Sequence, residues 1–174
     1  MPLATAYLAL GSNLGQRLDQ MRSALRLLEA GGVRVRAASH VYQNRAMGMV
    51  DADPFLNAVV QIETGLEPEP LLDLCLAVET QLGRVRTAGW SPRTIDIDVL
   101  VYGGAHVETE RLQVPHPRIA ERDFVLQPLV DIQPDLQLFG QSVSELLHAL
   151  AVVELELHAE SLLSFSHETT SSLK

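Results

Sequence analysis

Four apolar segments with strand character are separated by two stretches of helical periodicity, and their order restricts the chain to very few folds. Residues 4–10 read as a buried strand ending at Gly11-Ser12-Asn13, a turn and helix-cap sequence. Over 14–30, Leu14, Leu18, Met21, Leu25 and Leu28 recur at helical spacing until Gly31-Gly32 stops the run. Residues 33–42 and 55–63 read as the second and third strands, joined by a long loop over 43–54, a length that usually serves function. Pro68 and Pro70 then open a helix with Leu71, Leu74, Cys75, Val78 and Leu82 on one face, closed by Gly83. Cys75 on that face reads as a core residue. A fourth strand spans 94–102, followed by a Gly103-Gly104 turn and a short hairpin partner reaching Val107. The order β-α-β-β-α-β is the split βαβ, or ferredoxin-like, arrangement: an α+β fold with both helices on one face of an antiparallel sheet. Residues 124–132 and 143–150 predict extra C-terminal helices. One domain over 1–152 is expected, with 153–174 as a partly disordered tail ending in a Ser/Thr-rich run.

Charge narrows the chemistry. The 174 residues include 13 basic and 22 acidic ones, for a net charge of −9. Twelve of the basic residues are arginine, and the lone lysine is Lys174. A Walker-type phosphate loop, a Schiff-base enzyme and a protein kinase all need an internal lysine, so these classes are excluded. An acidic chain without a basic run also argues against nucleic-acid and anionic-membrane partners. One cysteine forms no intramolecular disulfide, and the N-terminal segment lacks the charged and apolar regions of a signal, so a cytoplasmic location is expected. The acid is unevenly spread: over 83–124 six arginines balance six acids, and the rest of the chain carries the whole net charge.

That neutral stretch contains Asp96-x-Asp98. On a strand, alternate residues share a face roughly 6.5 Å apart, while Ile95, Ile97, Val99 and Val101 are expected on the other, against the helices. Two carboxylates side by side repel one another and lose solvation unless cations neutralise them. Divalent metal ions do so and leave coordination sites for phosphate oxygens; salt bridges to neighbouring arginines at a sheet edge do so as well. Arg84, Arg86 and Arg93 precede the strand, and Arg111, His116, Arg118 and Arg122 follow it. Guanidinium groups supply bidentate phosphate donors that never lose charge. Carboxylate-bound metal with arginines around it suits a polyphosphate held without a phosphate loop.

GRVR, WSPRTIDIDVL and ERLQVPHPRIAERDFVLQPL, with GSNLG at 11–15 and FLNAVV at 55–60, closely resemble the 6-hydroxymethyl-7,8-dihydropterin pyrophosphokinase family of folate biosynthesis. The resemblance spans about residues 4–150 and implies the same ferredoxin-like fold. It implies an ATP-dependent diphosphotransferase that moves pyrophosphate from ATP to the hydroxymethyl oxygen of the pterin and releases AMP. Asp96 and Asp98 match ligands of two magnesium ions. Arg84 and Arg93 match catalytic phosphate contacts, and Arg86, Arg111, His116 and Arg122 match further ATP-binding positions, although His116 also reads as a structural histidine. Phe55 and Phe124 match aromatics that sandwich the pterin, Asn57 the amide that reads its edge, and Trp90 a lid contact. The resemblance also implies a monomer acting on small molecules. The chain departs from the family pattern at Asn44, Arg45, Ala46 and Met47, in the arm Thr87-Ala88-Gly89, and at Ser91, which stands where glycine is common. The alternatives are a paralogue for another pterin or alcohol, motivated by the 44–47 loop, and a non-catalytic ferredoxin-like module binding a nucleotide or other small metabolite.

Overall fold

A computed structural model describes residues 2–44, 54–84 and 94–163. In chain order, β1 (Ala4–Ser12), α1 (Arg17–Ala30), β2 (Arg34–Ala38), β3 (Tyr42–Asn44), β4 (Phe55–Thr64), α2 (Pro68–Gln81) and β5 (Asp96–Tyr102) form the core. The hairpin β6 (Val107–Glu108) and β7 (Gln113–Val114) follows. Then come a 3₁₀ turn (Ile119–Glu121), α3 (Asp123–Ile132), the hairpin β8 (Gln137–Leu138) and β9 (Gln141–Ser142), α4 (Val143–His148) and β10 (Glu156–Leu157). The main sheet runs β10-β3-β4-β1-β5, with β2 also pairing β4, and every pairing is antiparallel. β5 and β4 flank β1, and β2 and β3 share the outer edge of β4, which is the ferredoxin-like strand order. No helix among the described residues is long and apolar enough to cross a membrane.

Alternation sorts the strand residues onto two faces. Leu8 and Leu10 of β1, Leu56, Val60 and Ile62 of β4, and Ile97 and Val99 of β5 pack with Met21 and Leu28 of α1 and Leu71, Cys75 and Val78 of α2. Each such fully buried aliphatic side chain contributes about 1.5–3 kcal/mol relative to an exposed one. On the opposite face Tyr7, Val59, Leu100 and Val101 meet Val125, Leu126 and Leu129 of α3 and Val143 and Leu146 of α4.

Several expectations are corrected. Ser12 does not cap α1: it ends β1, and its hydroxyl donates to the Thr94 carbonyl at 2.5 Å, while α1 starts at Arg17 without a side-chain cap. The second strand is split, because Ser39 turns inward and exchanges bonds with Val59: its amide donates to the Val59 carbonyl, and its hydroxyl accepts from the Val59 amide, each at 2.9 Å. Val101 does not lie with Ile97 and Val99. Tyr7 pairs with Val101 but Leu8 with Val99, so Leu100 is an extra residue that flips the alternation and sends both Leu100 and Val101 to the α3 face. Val107 pairs with Val114 rather than with β5.

The segment after residue 152 is docked as far as the description runs. Glu156 and Leu157 extend the sheet beside β3, and Leu162 is buried in the core shared with α1 and α2. Arg22 donates to the carbonyls of Ser161 and Leu162 at 2.6 and 3.3 Å. Residues 164–174 lie outside the described residues.

Candidate active site

The site grows from the register of three strands. Gly11 on β1 stands opposite Asp96 on one side and Asn57 on the other, and Ala9 stands opposite Asp98. Asp96, Asp98 and Asn57 therefore share the sheet face that α3 covers farther along. Gly11 matters because a Cβ there would come within 3.3 Å of Asn57 Oδ1. A cleft of about 360 Å³ opens over this row, walled by Arg84, His116 and Arg122 and by Phe55, Asn57 and Phe124.

Burial sets the electrostatics. The Asp98 carboxyl is pushed up to about 7, chiefly by loss of water and next by the charge of Asp96, with Arg122 and Arg84 opposing the shift. Arg84 Nη1 donates to Asp96 Oδ1 at 2.7 Å and lies 2.8 Å from Glu79 Oε1. Glu79 is 1% exposed, and the same oxygen accepts the Ile97 amide at 2.7 Å, pinning β5 between the two aspartates. Burial and the arginines Arg122 and Arg118 hold the His116 ring below the usual histidine range, which favours the neutral imidazole. The His116 amide donates to the Leu100 carbonyl at 2.8 Å, tying the segment after the cis Val114–Pro115 bond to β5. The Arg122 guanidinium lies over the Phe124 ring, 5.6 Å from its centre.

Arg84, Asp96, Asp98, His116, Arg122, Phe55, Asn57 and Phe124 thus line one cleft. Arg111 does not: it pairs with Glu69 and Asp73 of α2 and lines an adjoining groove of about 420 Å³, which meets the cleft at Asp98, Ile97, Leu72 and His116. Arg86, Arg93 and Trp90 lie outside the described residues, as do 45–47 and 87–91. Among the cleft residues without a role from sequence are two with polar side chains, Glu79 and Asn44. Glu79 follows Cys75 by four positions, so a charged residue inside an apolar helical stripe was the available signal. Asn44 stood out as a departure, and its Oδ1 accepts from Asn57 Nδ2 at 2.6 Å.

Among the described residues no cluster of three or more His, Cys, Asp or Glu side chains forms a metal cage. Two carboxylates on one face nevertheless fit magnesium, which takes one or two protein carboxylates and completes its shell with water and phosphate oxygens. The Asp98 carboxyl, desolvated and beside Asp96, is the group whose charged form a cation would favour.

Residues 7–134 match the family model for 7,8-dihydro-6-hydroxymethylpterin-pyrophosphokinase (HPPK). A Methylorubrum extorquens protein named 2-amino-4-hydroxy-6-hydroxymethyldihydropteridine pyrophosphokinase is 49% identical over 149 residues, 85% of this chain and 94% of its own length. A Bacillus subtilis protein of the same name is 46% identical over 128 residues, covering 73% of this chain and 77% of its own length. The crystal structure of wild-type Plasmodium falciparum HPPK-DHPS with pteroate superposes with a TM-score of 0.67 at 15% identity over 84% of this chain, which spans 42% of that longer one. At that identity the likeness concerns the fold.

Proposed function

The chain belongs to the 7,8-dihydro-6-hydroxymethylpterin-pyrophosphokinase family, and from that membership we propose that it transfers the pyrophosphoryl group of ATP to 6-hydroxymethyl-7,8-dihydropterin in folate biosynthesis. The observation that carries this reading is the cleft itself, whose lining brings Asp96 and Asp98 together with the cationic Arg84 and Arg122 and with Phe55, Phe124 and Asn57. The hydroxymethyl oxygen bonds to the β-phosphorus of ATP, the bond from that phosphorus to the α–β bridging oxygen breaks, and AMP leaves with the electron pair as the hydroxyl proton passes to solvent.

Each side chain has work that its surroundings suit. Asp96 and Asp98 would hold magnesium, which when bound supplies charge neutralisation and polarises phosphoryl oxygens. Arg84 is already aimed into the cleft by Glu79 and meets the charge that grows on the transferring group. Arg122 adds a second cation there, and His116, whose ring is held below the usual histidine range by burial, offers a hydrogen-bonding group. The adjoining groove, with Arg111 beside apolar Leu72 and Leu112, suits the nucleoside end of ATP. In the same cleft Phe55 and Phe124, the latter with Arg122 over its ring, offer ring surface for a flat heterocycle, and Asn57 offers paired donor and acceptor groups for its edge. Arg93, Arg86 and Trp90 are assigned to phosphate contact and closure on the resemblance alone. The protein acts as a cytoplasmic monomer in this reading.

The test is product identity. Supplied with ATP, magnesium and 6-hydroxymethyl-7,8-dihydropterin, the protein is expected to form AMP and pterin diphosphate in equal amounts. ADP as the sole nucleotide product, or no turnover, would overturn the reading.

A further inference from the structure

β3 reaches the cleft with Asn44, and that side chain holds another. Asn57 is 7% exposed, and its Nδ2 donates to Asn44 Oδ1 at 2.6 Å. At the other end of the same carboxamide, Oδ1 sits over Gly11, where even a Cβ would crowd it at 3.3 Å. A primary amide has two N–H donors and an oxygen with two lone pairs. With one N–H committed to Asn44, a ligand meets one donor and one acceptor in a fixed arrangement. With Asn44 presenting its Oδ1, a flipped Asn57 would set two amide oxygens against each other at hydrogen-bond distance in a partly buried site, with loss of the pairing.

The backbone that carries Asn44 is itself held in place. β3 pairs with β4 through Asn44–Phe55, Gln43–Leu56 and Tyr42–Asn57, and on its other edge with β10. The Tyr42 hydroxyl donates to Asp131 Oδ2 on α3 at 2.8 Å, and the His158 amide donates to the Val41 carbonyl at 2.8 Å. The short strand is thus tied to the sheet, to α3 and to the C-terminal segment.

We propose that Asn44 is a positioning residue for pterin recognition: by accepting from Asn57 Nδ2 it orients the Asn57 carboxamide, and so favours heterocycles that present the complementary acceptor and donor. The proposal rests on the functional reading above, and the experiment separates the two. Asn44→Ala removes the acceptor and Asn44→Asp keeps it; Asn44→Leu, of larger apolar volume, repeats the loss should the alanine variant not fold. In the ligand-free protein, NMR of side-chain amides is expected to show one Asn57 Nδ2 proton shifted downfield, lost in Asn44→Ala and retained in Asn44→Asp. In turnover, KM for the pterin is expected to rise about tenfold in Asn44→Ala, the loss of about one hydrogen bond. The kcat and the KM for ATP should stay within about twofold, and Asn44→Asp should recover most of the pterin KM. An active wild type with an unchanged pterin KM in Asn44→Ala, or with an equal rise in the KM for ATP, overturns the role of Asn44 alone. A wild type that makes no AMP overturns the functional reading and the proposal with it.

Discussion

The two faces of the central sheet are built from the same three strands and differ in kind. Toward α1 and α2, β1, β4 and β5 present aliphatic side chains along most of their length. Toward α3 the same strands change character partway: Tyr7, Val59, Leu100 and Val101 are core, whereas Asp96, Asp98, Asn57 and Gly11 form the cleft. The bulge at Leu100 makes that division abrupt by placing two consecutive residues in the α3 core directly after the carboxylates. A site on the rim of a core is partly dehydrated without being sealed, and the Asp98 carboxyl raised to about 7 registers this. One face specifies the fold, and the other shares its length between fold and chemistry.

The largest effect expected from that division is on catalysis. Asp98→Ala should lower kcat/KM by about 10³-fold or more, roughly 4 kcal/mol of transition-state stabilisation, with the thermal midpoint unchanged or raised because a buried carboxylate pair is relieved. Chelation of divalent metal should match that loss and be reversed by magnesium, again without unfolding. A variant that keeps its activity, or a chelated protein that unfolds, would dissolve the distinction between the faces.

Next comes Glu79→Ala, on the helix that walls the cleft from the core side. It leaves the buried Ile97 amide without its acceptor and the Arg84 guanidinium paired, among the described residues, with Asp96 alone, and chemical denaturation should show a loss of about 3–5 kcal/mol together with reduced activity. Leu8→Ala, wholly on the α1 and α2 side, should cost about 3 kcal/mol of stability while kcat per folded molecule stays near the wild-type value. The pair of variants is informative together: only the residue that touches both faces should move both readouts.

How much of this was legible follows the same line. The fold could be read because each strand and helix declares its period and its glycine or proline boundaries, and the Asp96-x-Asp98 alternation could be read because it depends on backbone geometry alone. What was not legible depends on single competing contacts. Ser12 has the composition of a cap, yet the Thr94 carbonyl, 82 residues away, takes its hydroxyl. The Leu100 bulge has no signature in a run of aliphatic residues, so Val101 appeared to continue the pattern. Arg111 belongs to the same arginine-rich stretch as Arg84, but two acids on α2 draw it out of the main cleft. The docking of Leu162 depends on Arg22 and on the apolar core shared with α1 and α2, which no local pattern reveals.

The smallest effect is the most direct measure of how far the two faces are coupled. Cys75 is 0% exposed in the α1 and α2 core, and its thiol is pushed up to about 12, first by burial and then by the charges of Glu79 and Asp98. The thiolate is therefore scarce at pH 8, and alkylation of the native protein should be slow and should proceed through opening of α2. If the faces opened independently, ligands in the cleft would not change the labelling rate. Glu79 ties α2 to Ile97 and Arg84, however, and that link makes the helix part of the cleft wall. Pterin with magnesium and a non-hydrolysable ATP analogue, each at about ten times its Kd, is therefore expected to slow Cys75 labelling by about tenfold or more. An unchanged rate would mean that the core face opens without disturbing the cleft, and that Glu79 fastens β5 to α2 less firmly than its contacts with Ile97 and Arg84 imply.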